Sequence, residues 1–231
     1  MHPRLRSLIL APLMTLALLA MVGTPAHAAA WSSSDRWGTW TDQGYILYNN
    51  VWGSGHGYQG IWANSYHEWG VYADHPDTGG VKSYPNVTWN VDRRISEITD
   101  LTSSFEVDVP NGGAYATSYD IWDVNHDYEI MLWMNQHGPV GPLGSYQTTT
   151  SVGGHTWNVY RGSNGANEVF SFIRTSDTSA ATVDIEAVLD WLDNAGWMGD
   201  VILGDVQFGY EITSSAGGLE FVTNDYAVAV N

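Results

Sequence analysis

The chain has 231 residues, no cysteine and a formal charge of −17, although only 14% of its residues are charged. The length suits one large domain or two small ones. Without cysteine, disulfides, thiolate metal sites and a cysteine nucleophile are excluded. The acidic balance argues against nucleic acid and anionic membrane surfaces as partners.

Residues 1–30 read as a secretory signal peptide. Arg4 and Arg6 supply a basic start, Leu8 to Val22 an apolar run, and Ala26-His27-Ala28 a small-residue end. The run is short for a membrane span, which takes roughly 20 residues. Cleavage near Ala28 or Ala30 leaves a secreted, extracellular domain over residues 31–231. That domain is more acidic than the whole chain, because Arg4 and Arg6 leave with the leader.

Short β-type runs dominate the rest. In chain order they are 45–48, 61–62, 69–72, 87–91, 104–109, 114–122, 128–134, 155–161, 169–174, 201–212 and 226–230. Turn signals separate them at Asn49-Asn50, Gly79-Gly80, Pro110-Asn111-Gly112-Gly113, Gly153-Gly154, Asn164-Gly165 and Gly217-Gly218. Many short strands at such spacing predict an all-β sandwich or jelly roll. One stretch differs. Asp184 to Asn194 carries Ile185, Val188, Leu189 and Leu192 at helical spacing, with acidic residues in its first turn and Gly196 after its end. A single helix packed on the outside of the sandwich is expected. No linker, second domain or internal repeat is evident.

Two metal-like patterns fail on inspection. Asp123-Val124-Asn125-His126-Asp127 begins like a calcium loop, but Tyr128 stands where that loop needs Gly and Met134 where it needs Glu. His67-Glu68 has no second His at the zinc-protease offset. No metal and no cofactor is expected.

All twelve Trp lie beyond the leader, with thirteen Tyr along the chain. Aromatic faces stack on the C–H faces of pyranose rings, and uncharged polar groups bond their hydroxyls. Sugar binding is therefore suggested, although aromatic-rich β-proteins also arise from packing alone.

The most telling segment is Tyr128-Glu129-Ile130-Met131-Leu132-Trp133. In a strand, Glu129, Met131 and Trp133 share one face. A carboxylate there is costly if the face is covered and unpaired. Pattern alone leaves two readings open: a cleft in which Glu129 works, or a solvated edge.

That segment, followed by Gly141-Pro142-Leu143-Gly144-Ser145, resembles the signature of family 12 glycoside hydrolases, secreted endo-β-1,4-glucanases. Other pieces match in order: Tyr48-Asn49-Asn50-Val51-Trp52-Gly53, Val81-Lys82-Ser83-Tyr84-Pro85-Asn86, Ser118-Tyr119-Asp120-Ile121-Trp122, Asn164-Gly165-Ala166, Val169-Phe170-Ser171-Phe172, Phe208-Gly209-Tyr210-Glu211-Ile212 and Gly218-Leu219.

The resemblance implies a jelly roll of two curved antiparallel sheets with an open cleft. It also implies hydrolysis of β-1,4-glucosidic bonds in a β-glucan polysaccharide with retention. It puts the nucleophile at Glu129 and the acid/base at Glu211, with Asp120 hydrogen-bonded to Glu129 and tuning its protonation. Ile212 follows Glu211 where many members have Pro. Glu220 is the rival carboxylate, in a place where the family needs none. Trp52 is implied to stack on a glucosyl ring, Asn50 to bond hydroxyls and Met131 to lie under the reacting sugar. Trp133 and Pro142 are implied to line the cleft. A monomer is expected. A xyloglucan-specific enzyme, a related xylanase and a non-catalytic sugar-binding sandwich are the competing readings.

Overall fold

The computed structural model describes residues 28–231. The expected leader therefore lies outside the described residues except for its last three positions. The first strands are β1 (Trp31–Ser33), β2 (Thr39–Asp42), β3 (Tyr45–Tyr48), β4 (Tyr58–Ser65) and β5 (Glu68–Asp74). Then come β6 (Asn86–Arg94), β7 (Leu101–Asp108), β8 (Ala114–Asp123), β9 (Tyr128–His137) and β10 (Ser145–Val152). β11 (His155–Ser163), β12 (Glu168–Arg174) and β13 (Ala180–Asp184) lead into α1 (Ile185–Asn194), and β14 (Ile202–Ser214) and β15 (Leu219–Val230) end the chain.

These strands form two sheets. Six are ordered β1-β4-β5-β15-β7-β13, and nine are ordered β10-β11-β12-β9-β8-β14-β6-β3-β2. Strand alternation decides what lies between them. From the nine-stranded sheet, Tyr119, Ile121, Ile130, Leu132, Phe170, Phe172, Val206 and Phe208 point inward and are fully buried. They meet Ile61, Trp69, Val71, Ala73 and Phe221 of the other sheet in one core. Each large side chain buried this way contributes roughly 1.5–3 kcal/mol. A core of this extent can hold the fold without disulfides.

Eleven of the strands follow the expected β-runs, often extended by a few residues. β1, β2, β10 and β13 were not expected. β10, Ser145-Tyr-Gln-Thr-Thr-Thr-Ser-Val, is an edge strand with a polar, mostly exposed pattern. Its residues lack the apolar alternation that marks a half-buried strand. β1, β2 and β13 are only three to five residues long and carry little pattern.

The sheets are antiparallel with one exception: β12 runs parallel to β9, with Val169 opposite Glu129. β10, β11 and β12 form a meander whose last strand returns to the free edge of β9, and its three strands leave β12 pointing the same way as β9. The helix matches its expected span. Asp184 caps it by accepting from the Ala187 N–H at 3.0 Å, and Ile185, Val188, Leu189 and Leu192 bury its apolar face.

Candidate active site

The opposite face of the nine-stranded sheet carries the candidate site residues. Counting alternate residues puts Glu129, Met131 and Trp133 of β9, Asp120 and Trp122 of β8, Glu211 of β14 and Val169 of β12 on it. β8 lies between β9 and β14, so residues distant in sequence meet across three adjacent strands. A cleft of about 270 Å³ opens there, lined by Glu129, Glu211, Met131, Trp133, Pro142 and Val81, with Leu143 and Asn164 at its sides. Met131, Trp133 and Val169 pack together as a small apolar floor, separate from the main core.

The two Glu side chains have different surroundings. Glu129 Oε2 accepts a hydrogen bond from Asn167 Nδ2 at 2.9 Å. Its pKa is raised by burial, and the Asn167 bond opposes part of that rise. Glu211 is pushed up to about 7, first by burial and then by the charge of Glu129. No side-chain hydrogen bond reaches Glu211 among the described residues. The environments therefore separate two like groups. Glu129 ionises with the help of a donor, while Glu211 keeps its proton close to neutrality.

Asp120 is 8% exposed, and its Oδ1 has no hydrogen-bond partner among the described residues. Its pKa is raised well above the usual range, chiefly by burial and then by the charge of Glu129, with Trp122 acting the other way. Burial and the neighbouring charge of Glu129 both favour the protonated form of Asp120. The side-chain hydrogen bond seen on Glu129 comes from Asn167. The charge of Glu129 also acts on Asp120.

Asn167 was missed from the sequence, although the turn that presents it was legible. Asn164 Oδ1 accepts from the Ala166 and Asn167 backbone N–H groups, and Asn164 Nδ2 donates to Asn167 Oδ1 at 2.7 Å. The amide of Asn167 is thereby turned so that its NH2 faces Glu129. An Asn-Gly pair announces such a turn, but nothing local says which residue after it will cross to another strand. Tyr84 was also missed. It is buried and donates to the Ser118 carbonyl at 3.0 Å, and its own pKa is raised first by burial and then by Asp120.

Asn50 and Trp52 belong to the segment that borders the pocket holding the two carboxyl groups. They sit beside it on a segment held by backbone bonds. The Trp52 and Gly53 N–H groups donate to the Lys82 carbonyl at 3.2 and 2.8 Å, and the Tyr84 N–H donates to the Asn50 carbonyl at 3.0 Å. A Cβ on Gly53 would collide with the Val81 carbonyl, so only glycine allows this approach. Lys82 in turn donates from its N–H to Ile212, next to Glu211. Trp52 is 50% exposed, leaving its ring free beside the cleft wall formed by Val81. Glu220 is exposed on the other sheet, opposite Tyr72 of β5, away from Glu129.

The calcium-like loop has another explanation. Asp123 accepts from the Asn125 and Tyr128 N–H groups at 3.0 and 2.8 Å, tying the turn into β9.

Comparison with known proteins agrees with this arrangement. The family model for Glycosyl hydrolase family 12 matches residues 34–231. A probable xyloglucan-specific endo-beta-1,4-glucanase A of Aspergillus fumigatus is 30% identical, covering 92% of this chain and 96% of its own. Endoglucanase S of Pectobacterium parmentieri is 31% identical over 76% of this chain and 78% of its own. Among solved structures, the xyloglucanase domain of NopAA, a type three effector from Sinorhizobium fredii, in complex with cellobiose, has a TM-score of 0.85 at 40% identity. It covers 88% of this chain and 100% of that one. With a β-sandwich, a cleft bearing two carboxyl groups of unequal acidity and a family match over nearly all of its described residues, the chain belongs to glycosyl hydrolase family 12.

Proposed function

We propose that this chain is a retaining endo-β-1,4-glucanase, with Glu129 as nucleophile and Glu211 as acid/base. The observation that carries the reading is the unequal treatment of the two Glu residues in one cleft. The ionised form of Glu129 has the Asn167 amide to hold it, whereas Glu211 has burial and a neighbouring negative charge to keep its proton.

In the first step Glu129 attacks the anomeric carbon and a glycosyl ester forms. Glu211 gives its proton to the departing glycosidic oxygen. Water then enters, loses a proton to Glu211 and releases the sugar, restoring Glu129. Asp120, buried and neutral, leaves Glu129 as the charged group of the floor. Met131 and Trp133 supply an apolar surface beneath the reacting sugar. Trp52 stacks on a glucosyl ring further along the chain, and Asn50 and Pro142 complete the flanks.

The substrate is a neutral β-glucan. Xyloglucan is the favoured polymer within that class. It is named for the Aspergillus relative, and the Sinorhizobium domain is described as a xyloglucanase. Residues 1–30 act as a secretion signal, so the enzyme works outside the cell as a monomer of residues 31–231. Reducing-sugar release from xyloglucan, mixed-linkage glucan and carboxymethyl cellulose tests the activity. Wild type is expected to cut at least one of them, and Glu129→Gln and Glu211→Gln none. Activity that survives Glu129→Gln refutes the mechanism.

A further inference from the structure

The outer face of the six-stranded sheet carries a second aromatic surface. Tyr58 and Tyr72 are 57% and 45% exposed, and their rings lie 6.3 Å apart at 52°. Together with partly exposed Trp62 they line a groove of about 590 Å³, rimmed by Ser32 and Ser34. This face looks away from the core, since Ile61, Val71 and Ala73 on the same strands point inward. It is therefore on the opposite side of the sandwich from the Glu129 cleft.

The floor of the groove is built for these rings. Gly60 lies opposite Tyr72 and Gly70 opposite Trp62. A Cβ at Gly60 would meet the Tyr58 hydroxyl, at Gly70 the Trp62 ring, and at Gly218 the Tyr72 ring. Three side chains are thus laid along the backbone over three glycines instead of standing off the sheet. Glycine within a strand is unfavourable for the sheet itself and marks a close approach. Here the close approach is by aromatic rings that remain open to water.

We propose that this groove binds a segment of neutral β-linked glucan, as a second polysaccharide site distinct from the cleft. The choice of ligand rests on the proposed function of the cleft. The chemistry of the groove fits independently. Exposed ring faces suit pyranose C–H faces, and the Ser32 and Ser34 hydroxyls can bond sugar hydroxyls. Among the described residues no Lys or Arg lines the groove, and the chain is strongly acidic. A polyanion is repelled from such a face, so the occupant is uncharged. Holding a second stretch of polymer raises the local concentration of chain at the cleft by effective concentration.

The test is affinity electrophoresis through gels containing xyloglucan or mixed-linkage glucan, in the Glu129→Gln background so that the polymer is not cut. Tyr58→Ala with Tyr72→Ala is compared with the parent and with Tyr58→Phe with Tyr72→Phe. Loss of two ring contacts is expected to weaken binding about tenfold, and the Phe pair to retain it. With Glu129 intact, kcat/KM on polymer is expected to fall in the Ala pair. Hydrolysis of a soluble aryl β-cellobioside, which needs only the cleft, is expected to be unchanged. Equal retardation of the Ala pair and its parent overturns the proposal. So does a dimer in sedimentation velocity that the Ala pair dissolves, which assigns the face to a second copy. Failure of wild type to release reducing sugar from xyloglucan, mixed-linkage glucan and carboxymethyl cellulose alike refutes the proposed function of the cleft, while retardation in the gel decides the groove separately.

Discussion

Replacing Asn167 with Ala isolates the contact that separates the two carboxyl groups. Its amide donates to Glu129 Oε2 at 2.9 Å from a nearly buried position, and Asn164 fixes its orientation. A hydrogen bond to a charged acceptor contributes about 1.5–3 kcal/mol. It favours the ionised form of Glu129, so its loss makes Glu129 harder to ionise. On the acid side of the optimum, the fraction of enzyme with an ionised nucleophile is expected to fall by about 10- to 150-fold. The alkaline side is set by Glu211, which titrates at about 7, and should stay in place. The assay is kcat/KM on an aryl β-cellobioside across pH 3–9, with thermal melts to establish folding. The expected result is a profile narrowed from its acid side alone. Uniform loss at every pH, or an acid limb that does not move, refutes the assignment of Asn167 to the charge of Glu129.

Three further outcomes follow from the same geometry. Glu211 is raised from 4.5 to about 7 in the fold, so the folded state holds the extra proton between those values and loses stability as pH rises through them. Glu211→Gln removes this term and is expected to gain up to about 3 kcal/mol over wild type at pH 8, with little difference below pH 4.5, in urea melts. His75 has the opposite sign. It is fully buried, its Nδ1 accepts from the Gly57 N–H at 3.0 Å, and its pKa is lowered to about 4, first by burial and then by His56. Its contribution is complete above the unfolded value of 6.5 and is lost as pH falls toward 4, so His75→Asn should flatten the loss of stability between those values. Trp52→Ala should raise KM on polymer several-fold with little change in kcat, because its ring lies beside the cleft and not among the reacting groups.

Much of the architecture was legible because strands covered on both faces are written almost wholly in apolar and β-preferring residues. The runs at Ala114, Tyr128 and Val169 had apolar residues with strong β preference, and they became β8, β9 and β12. β10 was invisible for the converse reason: a solvated edge strand needs no apolar face. The parallel pairing of β12 with β9 was equally hidden, since register between distant strands leaves no local mark. At the site, Glu129 was conspicuous as a carboxylate among Met and Trp. Glu211 rested on the resemblance of Phe208-Gly-Tyr-Glu211, because its own neighbours do not distinguish it from Glu220. Asn167 stayed hidden because its importance depends on the turn at Asn164 and on the strand pairing together. Asp120 shares the sheet face of Glu129, and the hydrogen bond seen on Glu129 comes from Asn167.

Trapping the covalent intermediate tests the central claim most directly. Wild type treated with an activated 2-deoxy-2-fluoro cellobioside is expected to gain one fluorocellobiosyl group by intact mass spectrometry, and peptide mapping should put it on Glu129. A chain that turns over an aryl cellobioside but forms no adduct, or forms it on Asp120 or Glu211, contradicts the account.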